Sequence, residues 1–212
     1  MKKGKKQNPG IISRIAGFFV VLLSAVGVIW FLFLVFDGKK NLPVLGEPGH
    51  TAGSFSLVNQ DGDSVTAESV RHKVTVAEYF FTSCPSICPV MNKNLKELYD
   101  RYGHRPDFVI LSHTVDPERD SVPVLKAYAK RLDVVTPGWQ FLTGDKNALY
   151  SGATRDYLLS AGDSVSPEFI HTQYVALLDK QRRIRGFYDA TDKEMVRRLS
   201  GDIKRLLTED AD

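Results

Sequence analysis

The chain has two cysteines, and both fall within "YFFTSCPSICPVM", from Tyr79 to Met91. Cys84 and Cys88 are separated by three residues, and each is followed directly by a proline, Pro85 and Pro89. Two thiols at that spacing can form a structural staple, work as a redox pair, or supply half of a metal site. A Cys84–Cys88 disulfide would close a loop so short that it constrains little of the unfolded chain. At a helix start, by contrast, free N–H groups favour a thiolate and raise both nucleophilicity and metal affinity. Four residues are about one helical turn, so both sulfurs can share a face. Spacing alone does not choose among these chemistries.

Two thiolates make a poor metal site without a third ligand. Of the five histidines, His50, His72 and His104 read as surface residues in a tether, before a strand and after a helix. His113 ends a strand, where it can face a site or simply pack. His171 closes "SVSPEFIH", a loop that leads into the strand "TQYVALLD". Two soft thiolates and one imidazole would suit copper in either oxidation state, and zinc less selectively. Nothing in the residue pattern itself brings His171 to the cysteines.

The elements that must position these groups follow from periodicity. "SFSLVNQDGDSVTA" reads as a hairpin turning at Asp61-Gly62, and "KVTVAEYFF" as a central strand, apolar on nearly both faces. Residues 88–102 carry Met91, Leu95, Leu98 and Tyr102 at helical spacing. "DFVILSHTV" is a strand, Ser121 to Leu132 a helix, "WQFLTG" a short strand, and 145–159 a third helix. "QYVALLD" and "RIRGFYD" form a closing strand pair, before a last helix with Val196, Leu199, Ile203 and Leu206 as its buried stripe. This order predicts an α/β layered domain with a largely parallel centre. The cysteines then sit at a strand-to-helix turn, at the carboxyl end of a strand, where open α/β sheets place reactive groups.

The net charge of +3 is unevenly spread. Lys2, Lys3, Lys5, Lys6 and Arg14 occupy a basic tail, 1–14, ahead of a run from 15 to 36 with no charged residue. That run matches the roughly 20 residues of a membrane-spanning helix. It is longer than the apolar part of a signal peptide and lacks a small-residue cleavage pattern. The basic excess before it keeps the N-terminus in the cytoplasm. The expectation is therefore a bacterial inner-membrane protein: an anchor at 15–36, a tether at 37–52, and a domain at 53–209 facing the periplasm, where disulfides persist. The basic face of the last helix reads as solvated surface, and no motif points to nucleic acid.

Taken together, "YFFTSCPSICPVM", "VDPERDS", "FIH" and "YVALLDKQRRIRGFYD" resemble the Sco family, also called SenC, from about Gly53 to Leu207. The resemblance implies a thioredoxin-like fold with a central mixed sheet and flanking helices. It implies one copper ion, Cu(I) or Cu(II), bound by Cys84, Cys88 and His171, with Asp116 as an acid beside the ligands and His113 outside the set. It also implies a role in assembling the binuclear copper centre of cytochrome c oxidase, as a copper donor to that subunit or as a reductant of its cysteines. Other copper chaperones or thiol reductases would be further partners. The rivals are an extracytoplasmic thiol–disulfide oxidoreductase, using Cys84 and Cys88 catalytically, and a copper or redox sensor.

Overall fold

The computed structural model describes residues 10–37, 41–159 and 172–209, with the side chains of the first helix from 17 to 32. Two compact units divide between Asn41 and Leu42. The first holds one helix, α1 (Ile11–Asp37), a little longer at each end than the expected span. Its described side chains are all exposed. Among the described residues, no helix is long and apolar enough to cross a membrane.

The second unit begins with a small hairpin, β1 (Ser56–Val58) and β2 (Ser64–Thr66), paired antiparallel. It turns where the sequence placed the turn. Gly62 takes φ of 88°, which other residues rarely adopt, and Asn59 Oδ1 accepts the N–H groups of Asp61 and Asp63. There follow β3 (Val74–Phe80), α2 (Ile87–Tyr102), β4 (Phe108–Thr114), α3 (Val122–Leu132), β5 (Trp139–Leu142), α4 (Lys146–Ser151), β6 (Tyr174–Leu178), β7 (Ile184–Asp189) and α5 (Lys193–Thr208). The five-stranded sheet has the order β5-β4-β3-β6-β7. β3, β4 and β5 run parallel; β6 is antiparallel to β3, and β7 to β6. The centre is thus mixed, because the last two strands form an antiparallel hairpin whose first strand also pairs antiparallel with β3.

All seven residues of β3 are buried, as its apolar run on both faces requires. Val74, Val76 and Phe80 join the stripes of α2, α3 and α5, including Leu95, Leu125 and Leu199, in one core. Ala77 and Tyr79 point the other way, toward Ala153 and Tyr157. Each fully buried leucine of these stripes contributes roughly 2 kcal/mol of apolar transfer.

One expected element differs. The helix read over 145–159 is α-helical only to Ser151 and continues as a single π-helical turn, Gly152–Asp156. The Tyr79 hydroxyl donates to the Leu149 carbonyl at 3.0 Å where the ladder changes, and Tyr157 N–H then bonds five residues back to Gly152. A β-strand side chain far away in sequence alters this helix, so its own periodicity could not show the change.

Candidate metal centre

β3 delivers the chain to the site. Its last residue, Phe80, is followed by a turn in which Cys84 N–H bonds the Phe81 carbonyl at 3.2 Å. α2 starts three residues after Cys84, at Ile87, so Cys88 falls in its first turn. Ser86 occupies the N-cap but makes no capping bond through its side chain. The sulfur of Cys84 takes that part: it accepts the Cys88 N–H at 3.5 Å. One of the donors left open at every helix start is thereby satisfied by a thiol.

The two cysteines are not bridged to each other, and they differ. Cys84 is half-buried, whereas Cys88 is 3% exposed and packs in the main core. Partial burial pushes the Cys84 thiol up, but hydrogen bonds from the Cys88 thiol and from the N–H groups of Ser86 and Cys88 outweigh it and hold it below the ordinary range. Burial drives Cys88 far upward, and its hydrogen bond to Cys84 adds to this. Cys84 is therefore the accessible nucleophile, and Cys88 the sheltered second thiol.

The remaining expected site residues fall in different places. His113 lies on β4 with its ring stacked on Tyr79, 5.0 Å between centroids, and 3.4 Å from the Tyr157 hydroxyl. That is the sheet face opposite Cys88, so His113 packs there and stays apart from the cysteines. Asp116 pairs with Arg119 at 3.4 Å, and its N–H bonds Thr114 Oγ1 at 3.0 Å. His171 lies outside the described residues. Thr172, which follows it, leads into β6, and Ala176 of β6 pairs with Ala77 of β3. The strand after His171 thus enters the sheet beside the carboxyl half of the strand that leads to the cysteines. Among the described residues, no three His, Cys, Asp or Glu side chains are grouped to hold a metal.

Two buried acids near the cysteines escaped the sequence reading. Glu78, fully buried on β3, shares the sheet face of Val76 and Phe80 and accepts a hydrogen bond from the Ser112 hydroxyl, which in turn accepts from Trp139 Nε1 at 2.7 Å. Its Oε2, like Oδ1 of Asn92 on α2, has no hydrogen-bond partner among the described residues. Burial raises the Glu78 carboxyl to about 7 against the pull of the Ser112 bond. The second acid is Asp120, whose carboxylate accepts from the Thr82 N–H at 3.1 Å, two residues before Cys84. The only signal for Glu78 was a carboxylate inside an apolar strand. For Asp120 it was a second aspartate closing "DPERD".

A mixed five-stranded sheet with a dithiol turn where its central strand meets a helix defines a thioredoxin-like protein. Residues 45–208 match the SCO1/SenC family model. A SCO2-like protein of Rickettsia felis is 27% identical over 198 residues, covering 86% of this chain and 94% of its own. Among solved structures, the fold is similar to that of BsSco, described with a disulfide switch and as a member of the Sco family of cytochrome c oxidase assembly proteins. The TM-score is 0.66 at 26% identity, over 81% of this chain and 98% of the other. It is also similar to Arabidopsis thaliana ScoI with copper bound, with TM-score 0.57 and 26% identity over 73% and 99%. With the match running through most of its length, this chain belongs to the SCO1/SenC family.

Proposed function

We propose that this protein carries copper to the binuclear copper centre of a cytochrome c oxidase subunit, with Cys84, Cys88 and His171 as the ligands of one cargo ion. The observation that carries the reading is the unbridged Cys84–Cys88 pair at the start of α2, with the Cys84 sulfur accepting the Cys88 N–H, in a chain of this family. Two thiolates with an imidazole suit either oxidation state of copper. On this reading the protein is held in a bacterial inner membrane by α1, with the domain in the periplasm. The uncharged run from 15 to 36, about the length a bilayer core requires, supports that reading.

The unequal thiols favour a second activity at the same site. The Cys84 thiolate attacks one sulfur of a partner disulfide, forming a mixed disulfide and releasing one partner thiolate. The Cys88 thiol loses its proton and attacks Cys84 Sγ, releasing the second thiolate, so the partner gains two electrons. The chain is left with a Cys84–Cys88 disulfide, which an external thiol reductant must reopen.

Full-length protein, purified reduced in detergent, should bind one equivalent of copper in competition with a chromophoric chelator. Cys84→Ser or Cys88→Ser should abolish that binding, and His171→Ala should weaken it strongly, by about 100-fold or more, with the fold intact by circular dichroism. Unchanged affinity in His171→Ala removes the third ligand. Disulfide reduction that survives His171→Ala, in a protein that holds no copper, would leave the reductase reading alone.

A further inference from the structure

Asp120 is 1% exposed, a buried carboxylate on the loop between β4 and α3. Three donors converge on it. Its Oδ2 accepts from Thr82 N–H at 3.1 Å and from the Thr114 hydroxyl at 2.5 Å, and its Oδ1 from the Thr82 hydroxyl. Among the described ion pairs, none involves Asp120, so hydrogen bonds from these two threonines are what offset its desolvation. Thr114 is the last residue of β4 and pairs in register with Phe80, the last of β3. The same Thr114 hydroxyl also accepts the Asp116 N–H, and Asp120 N–H bonds the Asp116 carbonyl at 2.9 Å. The acid therefore ties three things together: the end of β4, its own loop, and the turn that leads to Cys84.

We propose that Asp120 is a positioning residue for Cys84: by fixing Thr82 against Thr114 it holds the Cys84 sulfur over the first turn of α2. The inference rests on the reading of the cysteine pair as the working site. Hydrogen bonding, and not negative charge, carries the effect. An asparagine can keep its oxygen toward Thr82 N–H and Thr114 and donate its amide to the Thr82 hydroxyl, which turns to accept.

The test uses full-length, reduced protein with two readouts: the iodoacetamide alkylation rate of Cys84, and copper affinity against a chelator. Asp120→Ala should change the Cys84 rate severalfold and weaken copper binding about 10-fold or more, while Asp120→Asn stays close to wild type. A folded Asp120→Ala with wild-type rate and affinity overturns the proposal, and so does an Asp120→Asn as impaired as the alanine variant. If Asp120→Ala does not fold, the Thr82→Val, Thr114→Val double variant replaces it, with the same two outcomes. Wild type that binds no copper, while the Cys84 rates still separate, would defeat the copper reading and leave the positioning role standing.

Discussion

Cys84 and Cys88 are chemically alike in the sequence and unlike in the fold, while two buried titratable groups of the sheet, an acid and a base, are both held toward their neutral forms. Glu78 and His113 lie on neighbouring strands, Glu78 directly opposite Ser112 and His113 opposite Tyr79, and point to opposite faces. Burial raises Glu78 from 4.5 to about 7. The folded protein then keeps a proton that the unfolded chain releases, so stability falls as pH rises from about 4.5 to 7, by about 3 kcal/mol in all. Burial lowers His113 from 6.5 to about 4, against backbone hydrogen bonds that favour its charge. Here the unfolded chain takes the proton first, and a similar stability is lost as pH falls from about 6.5 to 4. The two slopes oppose each other around pH 5–6. Glu78→Gln should remove one of them, so its unfolding free energy in urea should rise by about 2 kcal/mol between pH 5 and 6.5, where wild type stays nearly flat. Equal pH profiles would contradict this. Neither group was legible as buried and unpaired by charge, because periodicity reports apolar positions and passes over a polar residue that shares their face.

At the scale of elements, α2 was readable almost to the residue. Met91, Leu95, Leu98 and Tyr102, spaced for one face, are all buried, and the helix starts one residue earlier than expected. Leu95 is fully buried and Val90 is 45% exposed, so position on the helix predicts their cost. Leu95→Ala should lose about 2–5 kcal/mol in chemical denaturation, whereas Val90→Ala should stay within about 0.5 kcal/mol. A small effect at Leu95 would mean that α2 is held mainly by its ends. The helix read at 145–159 was less legible because its final turns answer to Tyr79, which lies some 70 residues earlier on β3. Local pattern governs an element until a distant side chain takes one of its backbone acceptors.

In the folded domain as a whole, the cysteines and the start of the domain lie at opposite ends of the sheet. Leu45 bridges Ile184 and Thr75 pairs with Leu178, both at the end where β3 begins, while Cys84 follows the other end, about 20 Å away along a seven-residue strand. Arg185 locks that first end. Its side chain is 3% exposed, pairs with Asp179 and Glu209 at 2.9 Å each, and donates to the Leu42 carbonyl at 2.7 Å. Arg185→Ala should cost about 3–5 kcal/mol, since it breaks a buried ion pair and leaves Asp179 with the half-exposed Arg183 as its charged partner. Arg183→Ala, at a half-exposed partner of the same acid, should cost about 1 kcal/mol or less by urea denaturation. The sequence by itself determined the elements, their α/β order, the place of both cysteines at a strand-to-helix turn, and an apolar N-terminal helix, all of which follow from local spacing. Tertiary structure alone decided that His113 faces away from Cys88, that Glu78 is buried on the cysteine side, and that Asp120 reaches the turn before Cys84. The reason is physical: a buried polar group must find its partners wherever the fold brings them, and Thr82 meets Asp120 across 38 residues that no local pattern connects.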